Sequence, residues 1–205
     1  MGRSLGVRFP EIMRSLDQES LRMADQFMVR SCQPYRISWE PHWQRQAADA
    51  LASDSHKMMF GQVSYGLLVT DLLRRMGIEP SAALGYSLGE SSALFALRAW
   101  PGRDEMLGRL DHSAIFREEL SGPCRAARAA WNLPEDQPFE WVAAVVTRPA
   151  AEVREVLQRV PLARLLIVNT DDECVVGGPR EAVTELTRIL GCEAILVEGV
   201  DTVHC

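Results

Sequence analysis

Apolar residues in the first 60 positions recur only weakly at helical spacing. Ile12, Leu16 and Leu21 follow Phe9-Pro10, a pattern that predicts short amphipathic helices packed on a core. The rhythm sharpens over residues 58–76, where Met59, Val63, Leu67, Leu68 and Leu72 share one helical face and Gly77 supplies the stop. Ile78-Glu79-Pro80 reads as a connector. Residues 81–86 form a short run of small and apolar residues, the pattern of a buried parallel strand. A second helix is predicted over residues 89–99 and ends at Pro101-Gly102.

From about residue 140 the period changes. Residues 141–147 read as a strand, and 149–160 as a helix opened by proline with Val153, Val156, Leu157 and Val160 on one face. Strands follow at 164–169 and 174–176, the latter ended by Gly177-Gly178. A helix at 179–190, closed by Gly191, leads to a strand at 194–197. This β-α-β-β-α-β order is the ferredoxin-like arrangement. The expected organisation is α/β: a catalytic core made of residues 1–138 and 199–205, with a ferredoxin-like small subdomain inserted at 139–198.

Composition narrows the function. The chain has 205 residues, 47% hydrophobic and 24% charged, as in globular proteins generally. A net charge of -6 argues against nucleic acid as a partner, although a local arginine or a helix N-terminus can still hold an anion. Lys57 is the sole lysine, a bias that suggests GC-rich codon usage and a bacterial source. The five cysteines are scattered and the four histidines lack ligand spacing, so no disulfide framework and no metal are expected. Without a leader or an apolar run long enough to cross a bilayer, the sequence reads as cytoplasmic, with no membrane partner and no bound cofactor.

One motif carries chemistry. Gly85-Tyr86-Ser87-Leu88-Gly89 matches Gly-x-Ser-x-Gly, which stands a serine on a sharp strand-to-helix turn that side chains two residues to either side would obstruct. The pattern arises by chance in roughly one chain in fifteen of this length. The predicted strand before it and helix after it therefore carry much of the argument. Ser87 is the candidate nucleophile, and the N–H of Leu88, at the positive end of the following helix, is the candidate oxyanion donor. The late histidine His204 has the chain order expected of its base. Asp171, Asp172, Glu173 and Asp201 are nominal acids, the first three in a turn where acidic side chains are usually solvated.

Gly85-Tyr86-Ser87-Leu88-Gly89-Glu90 resembles the Gly-His-Ser-x-Gly-Glu signature of malonyl-CoA:acyl-carrier-protein transacylases and of the acyltransferase domains of polyketide and polyunsaturated-fatty-acid synthases. Phe60-Gly61-Gln62 resembles the family segment whose glutamine lines the site and precedes a helix. Asn169 with Val176-Gly177-Gly178 resembles a stretch of its small subdomain, and Val203-His204-Cys205 its Ser-His-Cys. The resemblance implies an α/β-hydrolase-like core with a parallel sheet and a nucleophile elbow. It also implies ping-pong acyl transfer from acyl-CoA through acyl-Ser87 to the phosphopantetheine thiol of an acyl carrier protein, beside neighbouring synthase domains. His204 would then be held by backbone carbonyls, with no acid required. Gln62, Tyr86, His112 and Asn169 are the implied substrate-binding residues.

The departures are informative. Tyr86 replaces the family histidine before the nucleophile. An ungapped count from Ser87 puts His112 where dicarboxylate-specific members carry an arginine for a malonyl carboxylate, with Arg109 and Arg117 nearby. With His112 in that slot a monocarboxylic acyl group, acetyl or longer, is expected; a gap in the count would restore an arginine and with it malonyl. Met1-Gly2-Arg3 resembles the segment after the family's first strand, and Cys205 follows the base directly, so the resemblance implies a core incomplete at both ends. A Ser-His thioesterase or esterase and a non-catalytic docking module are the alternatives. Trp39, Trp43 and Trp100 are expected in packing roles. Arg74, Arg75, Arg125 and Arg128 are expected on solvated helix faces, with CoA phosphates or an acidic carrier as the alternative.

Overall fold

A computed structural model of the chain describes residues 2–32, 40–52, 54–197 and 200–205. Met1, the side chains of Gly2 and Arg3, Trp39 and the 198–199 boundary of the expected subdomain lie outside the described residues. The chain divides into two compact units, Met1–His112 and Ser113–Cys205.

The first unit is helical: α1 (Gly2–Arg8), α2 (Pro10–Gln18), α3 (Met23–Gln26), α4 (Val29–Cys32), α5 (Trp43–Ala52), α6 (Ser55–Arg75), α7 (Leu88–Ala96) and α8 (Arg103–His112). Asp54 sets the start of α6, its side chain accepting the Lys57 N–H at 3.0 Å. The helix thus begins before the expected position, and Phe60, Gly61 and Gln62 lie inside it rather than ahead of it. A Cβ at Gly61 would meet the Met28 methyl at 2.5 Å, so that flexible side chain would have to shift. The stripe Val63, Leu67, Leu68 and Leu72 is buried against Ile12, Leu16, Phe27 and Phe95, as the periodicity predicts, and Met59 is half-buried. Each fully buried side chain of this size contributes about 1.5–3 kcal/mol. Gly77 ends the helical path with φ 81°.

Two expectations for this unit fail. Leu21 does not join the core but is 99% exposed, because its own N–H is turned inward to Asp104 Oδ2 at 2.7 Å. Residues 81–86 form no strand, and Leu84 is fully exposed. A strand needs a hydrogen-bonded neighbour, and among the described residues of this unit no extended segment runs beside 81–86. The expected parallel sheet is therefore absent from the described residues, whose one sheet is antiparallel.

A buried polar network knits α2 and α8. Arg103, 5% exposed, donates to Gln26 Oε1 and Glu19 Oε2, both at 3.2 Å. Gln26 Nε2 and Ser20 Oγ donate to Asp104 Oδ1 at 2.6 and 2.7 Å. Burial pushes the Glu19 carboxyl up, but Arg98 and Arg103 outweigh it and hold the pKa low. For Asp104, burial is likewise outweighed by hydrogen bonds from Ser20 and the Leu21 and Arg22 backbone. Trp100 stands edge-on to Phe95 at 5.6 Å, and Trp43 is half-buried on α5.

The second unit begins with a π-turn (Ile115–Glu119) and α9 (Arg125–Trp131). β1 (Trp141–Val146), α10 (Ala150–Leu157), β2 (Arg164–Val168), β3 (Cys174–Pro179), α11 (Arg180–Leu190) and β4 (Ala194–Val197) follow, and a 3₁₀ turn spans Thr202–His204. The strand order is β2-β3-β1-β4, every neighbouring pair antiparallel. The β-α-β-β-α-β sequence of elements is the one the pattern predicts. One residue pair departs from it. Gly177-Gly178 does not stop β3, which runs through both and pairs them with Ala143 and Val142. They are small because of what lies above them: a Cβ on Gly177 would meet Leu166 and Trp141 at 2.7 Å, and one on Gly178 the Leu162 carbonyl oxygen at 2.7 Å. Ala144, Val146 and Val176 pack under Val153, Val183, Leu186 and Leu190 of the two helices. Arg128 closes the loop before β1, donating to Pro134 O and Gln137 O at 2.7 and 3.0 Å with its guanidinium over Phe139. Arg125 pairs with Glu118, Arg74 with Asp71, and Arg75 with Glu11; Arg75 and Arg125 stay more than half exposed, as expected of solvated faces, while Arg74 is half-buried.

Leu186 is fully buried, so Leu186→Ala is expected to cost the second unit about 2–5 kcal/mol in chemical denaturation. The low pKa values of Glu19 and Asp104 make their contribution full above the ordinary carboxylate range and progressively lost below it. The denaturation midpoint of the first unit is therefore expected to fall as pH drops below about 4, and less steeply in Glu19→Gln with Asp104→Asn.

Candidate active site

Ser87 sits at the N-cap of α7 with φ 52° and ψ −123°, and its side chain does not cap the helix. A non-glycine residue in this region costs about 1–3 kcal/mol and persists only where the surroundings impose it. Here the turn imposes it. The Gly89 N–H bonds to Tyr86 O at 2.8 Å and the Glu90 N–H to Ser87 O at 3.1 Å, folding the chain back on itself. The fold-back is so tight that a Cβ on Gly85 would lie 2.2 Å from Glu90 N and 2.5 Å from Gly89 C. Both obstacles are backbone and cannot yield. Gly89 is different: a Cβ there meets nothing within 4 Å. The expected obstruction on both sides of the serine thus holds at Gly85 alone, because the Gly89 position already points away from the helix.

Leu88 is the first residue of α7, where an amide has no intrahelical acceptor and shares the positive end of the helix. Its side chain packs against the core of the first unit, which fixes the direction of that amide. The Tyr86 side chain is 61% exposed. Gln62 is exposed on α6, which packs along α7 with Gly66 against Ser92: a Cβ at Gly66 would stand 3.6 Å from the Ser92 Cβ. His112 closes α8, exposed, with Nδ1 2.6 Å from Gly108 O. A carbonyl oxygen only accepts, so Nδ1 carries the proton. Arg109 pairs with Glu105 on the exposed face of the same helix, and Arg117 is exposed in the π-turn.

In the second unit Asn169 starts the turn between β2 and β3. Its Nδ2 donates to Glu173 Oε1 at 2.9 Å, and its N–H to Glu173 O at 2.9 Å. Asp171 and Asp172 are exposed in that turn. His204, half-buried, ends the 3₁₀ turn. Ahead of it Thr202 is 3% exposed, and Asp201 accepts Ser121 Oγ at 2.6 Å. Ser121 and Thr202 carry no sequence signal as site residues, since single buried hydroxyls follow no motif. Burial together with the Asp201 carboxylate pushes the nearby Cys124 thiol up to about 11, keeping it protonated and unreactive at neutral pH. Among the described residues no His, Cys, Asp and Glu side chains gather as a metal site, and no helix is long and apolar enough to cross a membrane. Ser87, Tyr86, Leu88, Gln62 and His112 belong to the first unit, and Asn169 and His204 to the second.

No family model matches the chain. It is 29% identical over 155 residues to one subunit of the polyunsaturated fatty acid synthase of Thraustochytrium sp., covering 72% of this chain but 7% of that protein. In structure it resembles the acyltransferase domain from the second module of the salinomycin polyketide synthase. That likeness has a TM-score of 0.61 at 18% identity, over 96% of this chain and 40% of that one. It also resembles the acyltransferase domain of the polyketide synthase PpsC of Mycobacterium tuberculosis, with a TM-score of 0.60 at 19% identity, over 98% and 54%. The chain therefore spans a small part of its curated relative and about half of the solved domains. The structural likenesses show the fold.

Gly85→Ala is expected to destabilise the first unit by more than about 2 kcal/mol or to displace Ser87. Gly89→Ala should be neutral, or stabilising by about 0.5 kcal/mol, as a helix residue with open space around it. Denaturant titrations of the two variants check the contrast.

Proposed function

From this likeness to the acyltransferase domains of polyketide synthases and to part of a polyunsaturated fatty acid synthase, we propose that the chain is an acyl-CoA:acyl-carrier-protein acyltransferase of such a synthase. The observation that carries the reading is the backbone of Ser87, strained at a helix N-cap by a glycine that no other residue can replace. A strained serine at the start of a helix supports the reading as one half of the strand-to-helix turn of a nucleophile elbow; no strand precedes it among the described residues. Residues 139–198 serve as the chain's ferredoxin-like subdomain.

His204 takes the Ser87 proton as Oγ attacks the thioester carbonyl of acyl-CoA. The Leu88 N–H stabilises the oxyanion, the C–S bond breaks, and CoA leaves as its thiol with the proton from His204. The phosphopantetheine thiol of a carrier protein then gives its proton to His204 and attacks the acyl-serine ester. The acyl group passes to sulfur, and Ser87 recovers its proton. No metal or redox group enters the balance. Neighbouring synthase domains and a cytoplasmic setting belong to the same reading, supported by the match to one stretch of a much longer synthase protein.

His112 sets the acyl preference in this reading. Its imidazole, engaged by Gly108 O through Nδ1, lacks the planar fork with which a guanidinium grips a carboxylate. Acetyl or longer monocarboxylic groups are accordingly favoured over malonyl. Gln62, Tyr86 and Asn169 are the residues this reading assigns to binding the acyl chain and pantetheine.

Intact-protein mass spectrometry after brief incubation with acetyl-, hexanoyl- and malonyl-CoA is expected to show one acyl adduct, absent in Ser87→Ala, with malonyl loading weakest. Dominant malonyl loading would sink the assignment of His112. Adducts that survive in Ser87→Ala would sink the nucleophile.

A further inference from the structure

The segment bearing His204 is bonded to the loop at Leu120 and Ser121 in the second unit. The Leu120 carbonyl oxygen, at the end of the π-turn, accepts both the Thr202 N–H at 3.1 Å and Thr202 Oγ1 at 2.8 Å. Cys124 Sγ donates to the same oxygen at 3.7 Å. One residue along, Ser121 Oγ donates to Asp201 Oδ2 at 2.6 Å. Thr202 and Ser121 are 3% and 5% exposed, so water does not replace these bonds when one is lost.

The receiving loop has a shape of its own. Gly122 has φ 57°, where a Cβ would also lie 2.9 Å from Arg117 O, and Cys124 has φ 50°. Two left-handed residues bend the loop so that the Cys124 N–H reaches Ser121 O at 3.1 Å. The carbonyl of Leu120 and the hydroxyl of Ser121 are therefore presented by a preformed turn. The His204 side of the contact is shorter. It is a single 3₁₀ turn closed by the Cys205 N–H on Thr202 O at 3.0 Å, and so short a turn does not hold itself.

The geometry points to Ser121 and Thr202 as positioning residues for His204. Thr202 fixes how far along the chain the imidazole emerges, and Ser121, through Asp201, fixes the direction from which the segment enters. The catalytic side of this inference rests on the reading of His204 as the base. The anchoring itself does not.

The test is Thr202→Val, which keeps the shape and the N–H bond but removes Oγ1, set beside Thr202→Ser, which restores a hydroxyl. Amide hydrogen exchange at Val203, His204 and Cys205 is expected to quicken about tenfold in the valine variant while β1–β4 amides keep their protection. The His204 imidazole resonances should shift or broaden. Acylation of Ser87 by acetyl-CoA should slow by a similar factor with little change in KM, and all three should recover in the serine variant. Wild-type exchange and imidazole resonances in Thr202→Val would overturn the inference. So would loss of protection spreading through the sheet, which would mark Thr202 as a packing residue only. If the wild-type protein takes up no acyl group, the acyl-transfer reading fails, while exchange and resonances still decide the anchor.

Discussion

The approach of the Gly85 backbone to residues 89 and 90, closer than any Cβ permits, is the constraint on which the rest of the first unit's chemistry depends. It forces the chain to reverse within a few residues, and the reversal leaves Ser87 no relaxed conformation. The reversal also starts α7 where it does, giving Leu88 an amide without a helical partner. Strain, helix start and the Leu88 amide at the helix terminus are three aspects of one turn. The long helix α6, packed along α7 through small residues and anchored in the apolar core, keeps the turn from opening.

The second unit solves a different problem. Its sheet is covered by α10 and α11 and held by an apolar core, whereas the 3₁₀ turn with His204 spans only three residues. The Thr202 hydroxyl donates to a loop stiffened by left-handed residues, and the hydroxyl of Ser121 in that loop donates back to Asp201. Burial makes such bonds effective. In water the same Thr202 hydroxyl would exchange freely between partners, but at 3% exposure it has one.

Legibility in the sequence follows the range of the forces involved. Periodicity recorded α6, β1 and α11 because burial acts on every third, fourth or second residue, and the stripe Val63, Leu67, Leu68 and Leu72 is where the pattern puts it. The serine motif was legible because glycine is demanded by a local clash. Contacts between distant segments leave no such trace. Leu21 faces solvent because Asp104, 83 residues away, captures its amide. Gly177-Gly178 looks like a strand stop but is a pair of close approaches by Trp141, Leu166 and Leu162 inside a strand. Residues 81–86 have the composition of a strand, yet composition cannot supply the neighbour that a strand requires. Ser121 and Thr202 escape notice because a lone hydroxyl is ordinary until its partner is known.

The failure of the Ser87 side chain to cap its own helix has a consequence for descent. A serine at an N-cap usually steadies the helix by about 1 kcal/mol, and at this position it contributes strain instead. A glycine would occupy the same backbone without penalty. On the reading of Ser87 as the nucleophile, position 87 is held by its chemistry against the preference of the fold. In a lineage where the hydroxyl no longer mattered, drift would have a downhill path at this residue, and the trace of lost activity would be written there early.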